Sequence, residues 1–167
     1  MNLQRHHQDP VALDLLDSCI YLPRDGVMRS YAKTTEFFRN SGKSPELMDG
    51  RTLALYYLNS PHDVHYPVWE MHPEGDELLI LTLGSLSVEF REGEMERTAP
   101  LPPQAAFIVR AGIWHRLIVH EPSVLIAITP RHNTVHEEGQ HLTGERSPLS
   151  KAHGGHDSPR RDLDREG

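Results

Sequence analysis

The chain has a single cysteine, Cys19, so no disulfide can form within it, and a reducing, cytoplasmic setting is expected. It has no run of roughly eighteen apolar residues, which excludes a single hydrophobic membrane-spanning helix. Met1 to His7 lack the apolar stretch of a secretory signal, so none is expected. Basic residues are outnumbered, 17 Lys and Arg against 24 Asp and Glu, giving a net charge of -7. No stripe of clustered Lys and Arg stands out, so neither nucleic acid nor a membrane surface is an expected partner.

Hydrophobic residues make up only 37% of the 167 residues, but the deficit is uneven. Residues 51–130 are rich in Leu, Ile, Val and aromatics, enough for one core. From Arg131 to Gly167 large apolar side chains are nearly absent, and His132, His136, His141, His153 and His156 fall there. The expected organisation is an N-terminal helical extension over 1–50, a strand-rich domain over 51–130 and a hydrophilic, His-rich, disordered tail over 131–167.

Asp9-Pro10 resembles a helix start, and Ala12, Leu15, Leu16 and Cys19 follow at the spacing of one helical face. A second helix is expected from about Ser30 to Arg39, closed by Ser41-Gly42-Lys43-Ser44-Pro45. From Arg51 onward the pattern changes to short strands at about 52–59, 65–72, 77–83, 85–91, 105–109, 114–120 and 123–129, separated by Gly and Pro turns. That punctuation predicts an all-β barrel or sandwich.

The densest chemistry lies in Glu70-Met71-His72-Pro73-Glu74-Gly75-Asp76-Glu77, followed by Gly84 and, later, by Gly112-Ile113-Trp114-His115. Side chains alternate along a strand, so Glu70 and His72 point the same way. Pro73 to Asp76 is turn chemistry, and Glu77 opens the next strand, where it can face His72. His115 arrives from a distant strand. Two carboxylates and two imidazoles suit a divalent first-row metal such as Mn, Fe, Ni, Zn or Cu.

The spacing Glu-x-His-x4-Glu-x6-Gly, then Gly-x2-His, resembles the two signature motifs of the cupin family over residues 52–130. The phrase from Trp69 to Glu77, with Ile113-Trp114-His115, is similar to a branch of small single-domain bacterial cupins. There are departures: Glu70 replaces the first histidine of the first motif, and Gln104, Arg110 and Val119 replace the glycine, proline and asparagine of the second. The resemblance implies a cupin fold, the double-stranded β-helix or jelly-roll barrel, with short N-terminal helices and the tail outside it. It also implies a metal held by Glu70, His72, Glu77 and His115, and a homodimer paired through outer strands, which would cover exposed sheet edges.

Several of these residues suit more than one role. Glu70 is a fourth ligand, a catalytic base beside metal-bound water, or a structural acceptor. Tyr66 shares the strand parity of Glu70 and lines the pocket or the core. Leu79 and Leu117 share the parity of Glu77 and His115 and would line a substrate pocket. Arg110 recognises a substrate carboxylate or makes a surface salt bridge. Two functions fit the pattern. One is a metal-dependent enzyme, of dioxygenase, isomerase or decarboxylase type, acting on a small oxygen-rich metabolite that chelates the metal. The other is a non-catalytic ligand-binding or sensing cupin with a structural metal or none, since one fold hosts many activities.

Overall fold

The computed structural model describes residues 12–139. In chain order the elements are β1 (Ser18–Leu22), β2 (Arg29–Ala32), α1 (Thr35–Ser41), β3 (Arg51–Leu58), β4 (Trp69–Met71), β5 (Glu77–Glu92), β6 (Met95–Leu101), β7 (Ala105–Val109), β8 (His115–Thr129) and β9 (Val135–Glu137). The strands run in the order β2-β1-β3-β8-β4-β9, and β5 joins them by pairing with β8 while also carrying β6 and β7. The all-β architecture expected from the turn punctuation is therefore present.

Two long strands form the frame. β5 and β8 pair antiparallel from Leu78↔Ile128 to Phe90↔His115, with register shifts between Leu81 and Leu86. From sequence each long strand is expected as two, divided at Gly84 and at Glu121-Pro122. Both positions are bends inside continuous strands, because pairing resumes on either side. Gly84 adopts φ +95°, and a Cβ there would lie 2.2 Å from Ser123 Oγ and 2.4 Å from the Pro122 carbonyl oxygen. The bend also reverses facing, from Leu79 and Leu81 to Leu86 and Val88, and Leu83 beside it is 63% exposed. The core within the barrel is built from side chains including Leu79, Leu81, Leu86, Val88, Leu117 and Leu125.

The N-terminal segment differs from expectation. Asp9-Pro10 lies outside the described residues, and the segment from Ala12 leads into β1 with no helix. Cys19 and Tyr21 alternate inward, and β1 gains ladder partners in both β2 and β3. Two strand partners satisfy more backbone groups than an isolated short helix, which outweighs the helical spacing. The second expected helix starts late: Tyr31 belongs to β2, and α1 begins after Thr34, whose side chain accepts a hydrogen bond from the Phe37 amide.

Beyond β1 and β2, two further strands lie where no regular element was expected. β6, with the sequence MERTAPL, pairs among the described residues only with β5, a location that tolerates Pro100 and exposed polar side chains. β9 lies in the segment read as tail, and pairs with β4 through Trp69↔Glu137, Glu70↔His136 and Met71↔Val135. The expected strand over 65–72 shrinks to β4, preceded by a 3-10 turn at Pro61–Val64. His141, His153 and His156 lie outside the described residues. Among the described residues, no helix is long and apolar enough to cross a membrane.

Candidate metal centre

β4 is short, yet it brings the first motif to the second. Glu70 pairs directly with His115, the first residue of β8. The turns that follow are stapled: the Gly112 amide donates to the His72 carbonyl at 2.9 Å, and the Ala111 amide donates to Asp76 Oδ1 at 2.9 Å. Arg110 Nη1 donates to Asp76 Oδ2 at 2.7 Å. Glu77 opens β5, where its side chain faces inward above Leu79.

Glu70, His72, Glu77 and His115 thus converge, with one ligand atom from each lying within 4.8 Å of the others. His115 Nε2 is 2.9 Å from Glu77 Oε2 and 3.5 Å from Glu70 Oε1. His72 Nε2 is 3.6 Å from Glu77 Oε1. His72, Glu77 and His115 are buried, whereas the Glu70 side chain is 35% exposed and occupies the rim.

Surrounding groups hold these side chains from behind. Thr129 on β8 donates to Glu77 Oε1 at 2.6 Å. His115 Nδ1 lies 3.3 Å from the Ile113 carbonyl, and His72 Nδ1 lies 2.9 Å from Thr134 Oγ1. Both imidazoles consequently present Nε2 to the centre, and buried His72 Nε2 has no hydrogen-bond partner among the described residues.

The electrostatics follow from packing acids against imidazoles. Burial disfavours the charged form of His115, but its hydrogen bonds to Glu70 and Glu77 outweigh that and push its pKa up to about 10. Burial works against an ionised Glu77 as well, and the hydrogen bond from His115 with the charge of that imidazole overcomes it, holding the carboxyl well below the usual range. Glu70 is lowered too: its desolvation is outweighed by the His115 hydrogen bond, against opposition from the Glu77 charge.

This donor set fits a divalent cation. Metal–nitrogen and metal–oxygen bonds of about 2.0–2.2 Å place donors across a metal at most ~4.4 Å apart, so the present spacing closes with small side-chain movements. Two carboxylates and two neutral imidazoles carry two negative charges, which a divalent ion neutralises. An unpaired Nε2 lone pair in a buried position is otherwise a cost without return.

The remaining sequence candidates separate. Leu79 and Leu117 lie in the core cluster within the barrel. Arg110 is 71% exposed and engaged with Asp76, where it staples the motif turns. Tyr66 does not follow Glu70: its ring lies 4.9 Å from the Arg116 guanidinium, which also lies 4.3 Å over Trp69. Strand parity fails for Tyr66 because β4 starts only at Trp69. Thr129 and Thr134 were not singled out from the sequence. Thr129 shares the inward alternation of Leu125 and Ala127, so strand parity was a signal for it. Thr134 and His136 lie in the polar segment beyond the apolar domain, where no periodicity marks them.

No family model matches the sequence, and no curated protein does either. Solved structures similar to it include a cupin-2 domain protein from Shewanella frigidimarina, at 21% identity and TM-score 0.37, over 48% of this chain and 70% of that one. Fe(II) HppE matches at 19% identity and TM-score 0.35, over 47% of this chain and 42% of its own. A protein from Neisseria meningitidis matches at 20% identity and TM-score 0.37, over 48% of this chain and 73% of that one. The pairing of β5 with β8 along their length brings both motif segments to one point, as the motif spacing implied.

Proposed function

We propose that this chain is a metal-dependent, cupin-like enzyme acting on a small oxygen-rich metabolite, with Glu70, His72, Glu77 and His115 holding a divalent ion. The observation that carries this reading is the buried, partnerless Nε2 of His72, facing a carboxylate and a second imidazole whose outer atoms are already engaged. The bound ion would supply Lewis acidity and orient vicinal oxygens of the substrate. Mn, Fe, Ni, Zn and Cu all suit such donors.

The chain's own residues divide the work. Glu77 is fixed by Thr129 and His115, and serves as an anchor. Glu70 is the carboxylate that a substrate can approach, because a third of its side chain is exposed. It is the group to accept a proton from a substrate carbon or hydroxyl within hydrogen-bond reach. Leu79 and Leu117 supply an apolar floor that excludes water.

The test is a panel of keto acids, enediols and catechols offered to metal-loaded protein, with oxygen uptake and product mass as readouts. Turnover of one class, lost in Glu70→Gln with the metal retained, is the expected result. Binding of such chelators without turnover would instead identify a ligand-binding protein.

We propose further that the chain forms a homodimer through its outer sheet face. Leu53, Ile128, Leu78 and Ile108 form one cross-strand row there, and Leu55, Ile126 and Ile80 the next. Neither row contains a charge, so a second copy of the same face complements it. Light scattering should give twice the chain mass, and Ile126→Glu should give a monomer. A wild-type monomer would sink this assembly.

A further inference from the structure

The segment after β8 does not leave the barrel. It turns at Asn133, which adopts φ 56°, and returns as β9 along the edge of β4. His132 and Asn133 both bond the Glu74 carboxylate in the turn between β4 and β5, at 2.6 and 2.5 Å. Arg91 holds Glu137 at 2.9 Å. At Gly139 a Cβ would come within 2.0 Å of the Pro67 carbonyl oxygen, so the backbone passes directly against the barrel. Residues 131–139 form a strap, and the centre of that strap lies against the metal-holding group.

Thr134 is the contact that matters. Its hydroxyl carries one proton, and a carbonyl can only accept a hydrogen bond. Thr134 Oγ1 donates to the Pro130 carbonyl at 3.2 Å, which commits that proton. Toward His72 Nδ1, 2.9 Å away, the hydroxyl can then only accept. His72 Nδ1 must carry hydrogen, and in the neutral ring Nε2 must be bare. That bare nitrogen is the one buried beside Glu77 without a partner.

We infer that Thr134 is a positioning residue of the metal centre: it fixes His72 in the tautomer whose Nε2 lone pair faces Glu77 and His115. The strap serves Glu70 similarly. His136 is its cross-strand partner on β9, with Nε2 3.9 Å from Glu70 Oε2 on the solvent side. A segment outside both motif regions thus completes the site, holding a buried ligand from behind and flanking the rim ligand. This role rests on the metal-centre reading for its purpose, but the tautomer itself does not depend on a metal.

Two measurements on the full chain separate those questions. The first is long-range proton–nitrogen NMR of the metal-free protein, above the ordinary titration range of histidine, comparing wild type with Thr134→Val and Thr134→Ser. His72 should carry hydrogen on Nδ1 alone in wild type and in Thr134→Ser. In Thr134→Val, which keeps the shape but cannot accept, the population should shift toward Nε2–H. A wild-type ring protonated at Nε2, or a Thr134→Val ring unchanged from wild type, overturns the inference. The second is zinc affinity by chelator competition, with zinc as the only addition. Thr134→Val should bind about 10–100-fold more weakly, and Thr134→Ser should recover most of that loss. Equal affinity in wild type and Thr134→Val would overturn the role in metal binding. Absence of zinc binding in wild type would contradict the metal centre, and the NMR result would still decide the tautomer.

Discussion

Thr129 donates a 2.6 Å hydrogen bond to Oε1 of Glu77, a residue 52 positions earlier in the chain. Both side chains are buried, so this bond helps to offset the desolvation of a carboxylate in the barrel interior. Thr129→Val keeps the shape and removes the donor. Denaturant unfolding of the metal-free variant should show a loss of about 1–3 kcal/mol, with Thr129→Ser close to wild type. An unchanged stability in Thr129→Val would mean that Glu77 does not depend on this bond.

On the outer side of the same strands, Arg116 Nε donates to Glu89 Oε2 at 2.5 Å, with only 3% and 10% of the two side chains exposed. The guanidinium also lies over Trp69 and Tyr66. Glu89→Leu should cost about 3–5 kcal/mol, because it removes the carboxylate from a buried, hydrogen-bonded ion pair. Adding Arg116→Met to that variant should restore a large part. Unfolding midpoints of the single and double variants check both statements, and a double variant no better than the single would contradict the second.

Gly84 and Gly93 both have positive φ, 95° and 65°, but only Gly84 faces a crowded neighbour. Gly93→Ala should cost about 1–2 kcal/mol, the penalty of a left-handed alanine. Gly84→Ala should cost clearly more, since its Cβ meets the Pro122 backbone as well as Ser123 Oγ. Thermal unfolding of the pair is the comparison, and equal losses would mean that the bend relaxes freely.

Tyr21 carries a pH prediction away from the metal centre. Burial raises its pKa to about 12, and its 2.6 Å hydrogen bond to Asp49 adds to the effect. A folded pKa above the unfolded value of about 10 means a contribution present below pH ~10 and lost as pH rises toward the folded value. Unfolding free energy should therefore fall between pH 10 and about 12. Tyr21→Phe should make that decline shallower. The same slope in both proteins would place the alkaline loss elsewhere.

The strand-rich domain was legible because Gly and Pro punctuate alternating apolar runs, and the four candidate ligands because their types and spacing are unusual. What the sequence hid has physical causes. Gly84 and Pro122 signal turns by composition, yet their strands stay paired, so two bends replaced two expected connections. β1 hid behind a helical spacing that its ladder partners on both sides override. β6 and β9 are exposed and polar, so burial left no periodic mark on them. Thr134 was illegible for the same reason: a hydroxyl that orients a ligand needs one contact, and a single contact has no pattern.

The central claim is that Glu70, His72, Glu77 and His115 hold a metal. Its most direct test is elemental analysis of the untagged full chain purified without added metal, beside a His72→Ala, His115→Ala double variant. About one equivalent of Mn, Fe, Ni, Cu or Zn in the wild type, lost in the double variant, is the predicted result. No metal in the wild type even after reconstitution, or the same content in the variant, would contradict it.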